Sequence, residues 1–113
     1  MMKIELKITF RFEIFHRWVD APIEYEYLSN LHRHVLHCTA WLQVSHDREL
    51  EFINLKNVAQ SVCETQARLP YVKAWSCEKW ARWIANKFDY DKVEVMEDGE
   101  NGAVVTMEED KKE

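Results

Sequence analysis

The sequence predicts an α+β protein whose elements follow the order β-β-α-α-β-β. Apolar residues recur at every second position in the first part of the chain and at helical spacing in the middle. Near the C-terminus, two short strand-like runs flank a turn with two glycines, which is typical of a hairpin. Four strands and two consecutive helices favour an antiparallel sheet with both helices on one face.

The first two strands carry histidines in phase with their apolar residues. From Lys3 to Ile14, apolar and polar residues alternate without a break, and counting on by twos places His16 on the apolar face. The second strand, from about Leu31 to Val44, places His32 and His34 on its apolar face. The connection between the strands, roughly His16 to Asn30, has a length that is often functional.

Helical periodicity begins at Phe52 and the first helix, or its tail, ends at Pro70. A second helix follows, with Ser76 as its N-cap and with an apolar stripe that includes Trp80 and Ile84. The two remaining strands are predicted at residues 92–97 and 103–107, joined by a turn over residues 98–102.

Length and charge limit the classes of protein to consider. The 113 residues predict one domain, and a net charge of −5 argues against nucleic acid as a partner. No apolar stretch is long enough to span a membrane, and charges near the N-terminus argue against a signal peptide. Cys38, Cys63 and Cys77, odd in number and without a CxxC spacing, predict reduced thiols in a cytoplasmic protein. The acidic end, residues 108–113, is expected to be a solvated tail.

The shared phase of His16, His32 and His34 predicts a metal site. Three histidines on one face of a sheet can supply three neutral imidazole nitrogens to one ion. Three protein ligands with one open position are typical of catalytic rather than structural zinc. The alternative is a plain scaffold in which the three histidines face the edge of the core and bind no metal.

Several segments carry a resemblance to a known family. The sequence resembles the 6-pyruvoyl- and 6-carboxy-tetrahydropterin synthase family, whose members adopt the T-fold, over nearly the whole chain. Leu31-His32-Arg33-His34 is similar to the His-Gly-His motif of that family. The other similar segments are the strand that ends in His16, the helix entry Leu50-Glu51-Phe52-Ile53-Asn54-Leu55-Lys56, the helix that follows Ser76, and Val93-Glu94-Val95-Met96-Glu97.

The resemblance implies a single T-fold domain over residues 1–113 that assembles into a multi-subunit barrel, a homo-oligomer such as a trimer or hexamer. It implies Zn²⁺ held by His16, His32 and His34, and a pterin ring bound by Glu97 and Ser76. The implied activity is that of a lyase acting on 7,8-dihydroneopterin triphosphate or a related purine-derived ring. By the same resemblance, the metal polarises the substrate side chain and makes an adjacent proton more acidic.

The sequence departs from the family at its proton-transfer groups. The loop before the second strand lacks the family's Cys, and the segment around Leu69 lacks its Asp-His pair. Tyr25, Glu26 and Tyr27, and beside them Ser29, are the candidate replacements in the loop. The losses leave a second hypothesis open, a non-catalytic T-fold module that binds a pterin, a guanine-like ligand or a nucleotide.

Overall fold

The computed structural model describes residues 2–108. Its strands are β1 (Ile4–His16), β2 (His32–Val44), β3 (Lys92–Glu97) and β4 (Asn101–Thr106), and its α-helices are α1 (Phe52–Gln66) and α2 (Cys77–Phe88). The strands form one antiparallel sheet in the order β1-β2-β3-β4. The α+β class and the predicted β-β-α-α-β-β order are confirmed, whereas assembly into a barrel stays a prediction. Of the expected acidic tail, residues 109–113 lie outside the described part of the chain.

The register of the sheet brings separate segments together at one end. In the pairing of β1 with β2, His16 lies opposite His32 and Ile14 lies opposite His34. In the pairing of β2 with β3, Leu36 lies opposite Glu97. Because side chains alternate between the two faces of a strand, all three histidines and Glu97 lie on one face. This is the face that both helices cover.

The core lies between that face and the two helices. Alternate residues of β1, from Ile8 to Ile14, are buried against α1 and α2. Trp80 and Ile84 of α2 are almost completely buried, and the Trp80 ring meets Phe12 edge-on at 5.0 Å between centroids. Fully burying a side chain of this size contributes roughly 1.5–3 kcal/mol. The packing of α2 therefore fixes the position of its first turn, beside the histidine end of the sheet.

The ends of α2 follow local chemistry. The hydroxyl oxygen of Ser76 accepts a hydrogen bond from the backbone N–H of Lys79 at 3.1 Å, which confirms the predicted N-cap. Asp89, with φ of 56°, ends the helix in the left-handed conformation. No helix in the described residues is long and apolar enough to cross a membrane.

Three details differ from the sequence expectation. The connection between β1 and β2 contains a 3₁₀-helix, Ile23–Ser29, and a second one, Pro70–Ala74, lies between α1 and α2. Strand β4 begins at Asn101 rather than at residue 103. The hairpin is tighter because Asp98 and Gly99 both take positive φ, 53° and 74°. Gly102 thus lies inside β4, where a Cβ atom would be 1.7 Å from the Val95 carbonyl oxygen.

Candidate metal centre

The three predicted ligands form one cluster at the end of the sheet. One nitrogen from each of His16, His32 and His34 lies within 4.8 Å of the others. The ring centroids are 4.5 to 4.9 Å apart, and each pair of rings meets edge-on. Small side-chain rotations would bring the three nitrogens to one ion. The cluster can therefore hold a metal, and its geometry does not specify which one.

Each ring has a hydrogen-bond acceptor at its Nδ1 atom. Carbonyl and carboxylate oxygens can only accept, so each Nδ1 is the donor in its contact, and Nε2 is the nitrogen left to face a metal. Acceptors of this kind behind metal-binding histidines fix both the tautomer and the ring orientation. The acceptors are the Trp75 carbonyl for His16 at 3.4 Å, the Asn30 carbonyl for His32 at 2.7 Å, and Asp98 Oδ2 for His34 at 2.7 Å.

Burial keeps His16 in the neutral form that a metal requires. Its side chain is only 13% exposed, and this desolvation lowers its pKa below the usual value of 6.5. The carboxylate of Glu97 acts in the opposite direction, and the neighbouring imidazoles of His32 and His34 add to the lowering. The net result is a ring that is uncharged at neutral pH and available as a ligand.

Asp98 supports the cluster from the turn after β3. Its Oδ1 accepts the backbone N–H of Val35 at 2.9 Å while its Oδ2 accepts from His34. These two bonds, in that order of importance, lower the pKa of Asp98. The carboxylate therefore ties the β3–β4 turn to β2 and orients His34 at the same time.

Glu97 faces the cluster from the end of β3. Its Oε2 lies 3.2 Å from His34 Nε2, and its Oε1 lies 3.9 Å from His16 Nε2. The thiol of Cys77, the first residue of α2, donates to Glu97 Oε1 at 3.6 Å. Burial first, and then the Glu97 charge, raise the pKa of Cys77 to about 12, so the group is a thiol at neutral pH.

A cavity of about 680 Å³ opens over the cluster. Trp18 and Trp75 contribute aromatic surface to its wall, and the start of α2 contributes Ser76, Cys77 and Glu78. A volume of this size is ordinary for a small-molecule site, as is a wall that combines aromatic surface with polar groups. The three histidines, Glu97 and Ser76, all predicted from the sequence, line this one cavity.

The predicted proton-transfer residues lie elsewhere. Tyr25, Glu26 and Tyr27 belong to the 3₁₀-helix Ile23–Ser29, are exposed, and are not among the residues that line the cavity. The ring of Tyr25 stacks on that of Trp18, with 5.8 Å between centroids, so Tyr25 contacts a residue of the cavity wall. Ser29 donates to the carbonyl of Glu26 within the same helix. Their role in proton transfer stays a prediction.

Two residues of the site were missed by the sequence analysis. Cys77 is buried with the core, and its thiol also lines the cavity against Glu97. Asp98 was treated as part of a turn, although it orients His34. Its position directly after a strand with a predicted site residue was the signal that could have indicated it.

The fold and the site define the class: an α+β protein with a three-histidine cluster, able to hold a metal, under a cavity of ligand size. Comparison with models of protein families and with curated protein sequences found no match for this chain.

Proposed function

We propose that the protein is a zinc-dependent lyase of the tetrahydropterin synthase type, acting on a reduced pterin or a related purine-derived ring. The observation that carries the proposal is the support behind the three histidines. All three Nδ1 atoms have a carbonyl or carboxylate acceptor, so the Nε2 side of each ring is the one that could bind an ion. A histidine cluster that only fills the edge of a core has no need of such matched orientation.

The donor set supports zinc among the metals. Three imidazoles at the end of a sheet, with an open side toward a cavity, are the ligand arrangement of catalytic zinc. When bound, the ion supplies Lewis-acid chemistry that makes a substrate proton next to a polarised oxygen more acidic. His16, His32 and His34 would hold it.

The residues of the chain itself provide the remaining functions. Glu97 can accept two parallel N–H bonds from the edge of a pterin ring, which is a strong charge-assisted geometry. The Cys77 thiol donates to one oxygen of that carboxylate and so fixes its orientation. Trp75 adds apolar surface that excludes water, and the Ser76 hydroxyl at the cavity wall can still donate its own proton.

The second candidate is a non-catalytic module that binds a pterin, a guanine-like ligand or a nucleotide. It is favoured by the position of Tyr25, Glu26 and Tyr27, which lie outside the lining of the cavity. Positioned acid–base catalysis contributes about 10²–10⁴-fold in rate, so its absence would leave binding without useful turnover.

Assembly and compartment are part of the proposal. Strands β1 and β4 are the edges of the sheet, and free edges of this kind pair readily with further strands. We therefore propose a homo-oligomer, a trimer or hexamer, as in the T-fold proteins that the sequence resembles. The three cysteines are all free thiols, which supports a cytoplasmic location.

The test is the metal content of the purified protein by elemental analysis. About one zinc per chain is expected in the wild type, and none in His32→Ala or His34→Ala. His37→Ala is the matched control, because His37 is in the same strand but on the opposite face, where it should leave the zinc in place. The metal site would be refuted by a wild type that takes up no supplied zinc, or by His32→Ala and His34→Ala variants that still bind zinc.

Turnover then separates the two candidates. Zinc-loaded wild type is incubated with reduced pterins, and products are followed by chromatography and mass spectrometry. Product formation that is lost in His32→Ala supports the lyase. Binding of the same compounds without product supports the non-catalytic module.

A further inference from the structure

We infer that the cavity selects an uncharged ring compound without a triphosphate group, so that the preferred ligand is a dephosphorylated pterin. This inference rests on the proposed function, because it concerns the ligand of the same cavity. It is carried by the charges of the side chains that line the cavity, and by the Ser76 and Glu78 side chains at the start of α2.

The lining carries four carboxylates and one guanidinium. Glu78, Glu97, Asp98 and Glu100 are the acidic residues, and Arg17 is the one Lys or Arg among the described residues that line the cavity. A divalent ion at the three histidines would offset two of these negative charges. The cavity would remain negative overall even with the metal bound.

A triphosphate requires the opposite arrangement. It carries several negative charges, and proteins bind such groups with clustered Arg and Lys side chains or with backbone N–H groups at a helix N-terminus. Here the carboxylates would repel it, and because Glu78, Asp98 and Glu100 are exposed, salt would screen this repulsion. An uncharged pterin instead offers N–H donors, which are the groups that carboxylates bind best.

Besides Arg17, the start of α2 is a part of this cavity wall that would attract an anion, and side chains of the protein already occupy it. The Ser76 hydroxyl oxygen takes the N–H of Lys79, and the carboxylate of Glu78 lies in the first turn. A carboxylate at this position offsets the positive end of the helix dipole. The Lys79 ammonium lies 5.5 Å from the centre of the Trp75 ring, in a cation–π contact, and does not line the cavity.

The inference is tested by titration calorimetry on the zinc-loaded protein in its native assembly. The ligands are 7,8-dihydroneopterin and its triphosphate, at about 50 mM and about 300 mM salt. We expect the Kd of the triphosphate to be at least about tenfold higher at low salt, with a smaller difference at high salt. Equal or tighter binding of the triphosphate would overturn the inference.

A charge-neutralising variant makes the test specific to the cavity. Glu78→Gln combined with Glu100→Gln should tighten triphosphate binding and so narrow the ratio between the Kd of the triphosphate and that of the uncharged pterin. The control, Glu5→Gln with Glu64→Gln, removes two exposed charges outside the cavity and should change neither Kd. Equal effects of the two double variants would refute a role for the lining.

The inference and the proposed function fail in different ways. Tighter binding of the triphosphate overturns the inference alone and leaves the proposed function intact. A zinc-loaded protein that binds neither compound overturns the pterin assignment, and the inference with it.

Discussion

Replacing Asp98 by Asn removes the carboxylate that accepts from His34 Nδ1 without removing any of the three histidines. The carboxylate accepts from two donors at once, the His34 Nδ1–H at 2.7 Å and the Val35 N–H at 2.9 Å. An amide has one oxygen and can serve only one of these donors. If the amide nitrogen faces His34, the ring must take the other tautomer, with its proton on Nε2, and that nitrogen can no longer bind a metal.

The expected effect is a loss of about 10–100-fold in zinc affinity, the usual result of removing an outer-shell carboxylate. The fold should persist, because the Asp98 side chain is 45% exposed and Asn tolerates its φ of 53°. Zinc affinity is measured by competition with a chromophoric chelator, with circular dichroism as a check on folding. Asp47→Asn, in the exposed turn at the other end of β2, is the control and should bind zinc as the wild type does. A Kd for Asp98→Asn within about twofold of the wild type would refute the proposed orientation of His34.

Three further predictions concern the ring-binding residue, the thiols and the core. Glu97→Gln should keep its zinc, but its Kd for reduced pterins should rise at least about tenfold, because a charge-assisted bidentate contact is lost. The Kd is measured by calorimetry, and an unchanged value would exclude Glu97 from ring binding. Burial raises the pKa of Cys63 to about 12, and only the thiolate reacts with iodoacetamide. At pH 8 the reagent should therefore leave Cys63 unmodified in the native protein and modify it in guanidinium, as measured by mass spectrometry. Rapid labelling of the native protein would contradict the burial of this thiol. Ile84→Ala, at a fully buried position, should lower the free energy of unfolding in urea by about 2–5 kcal/mol. The control, Ile53→Ala at an exposed position, should change this free energy by less than about 0.5 kcal/mol. Equal effects of the two variants would contradict the assigned core.

The histidine cluster could be predicted because strand periodicity fixes which face of the sheet a residue occupies. Once Ile14 and Leu36 are assigned to the core, His16 and His34 must lie on the same side of their strands. The sequence does not state the register, however. The pairing of His16 with His32 depends on the length of the intervening connection and on how it packs, and these are tertiary properties.

Cys77 and Asp98 could not be assigned to the site by the same reasoning. The position of Cys77 depends on where α2 packs on the sheet, and the helical pattern specifies a buried face but not which strand end it meets. Asp98 reaches His34 because the hairpin turns through two residues with positive φ, whereas the sequence predicted a longer, looser turn. Long-range placement of this kind leaves no periodic signal in the chain.

The residues proposed to bind a metal and a ring lie on the sheet, whereas those proposed to transfer protons lie on an irregular segment. The histidines lie at the ends of two paired strands, and the register of β2 with β3 fixes Glu97 opposite Leu36, so these groups are positioned by the sheet itself. The candidate proton-transfer residues lie on an exposed 3₁₀-helix with no buried residue of its own. Regular elements hold functional groups more precisely than loops do. In the proposed function, the sheet accounts for the binding of metal and ring, and turnover would need a proton-transfer group that the connection between β1 and β2, or a neighbouring subunit at a sheet edge, brings over the cavity.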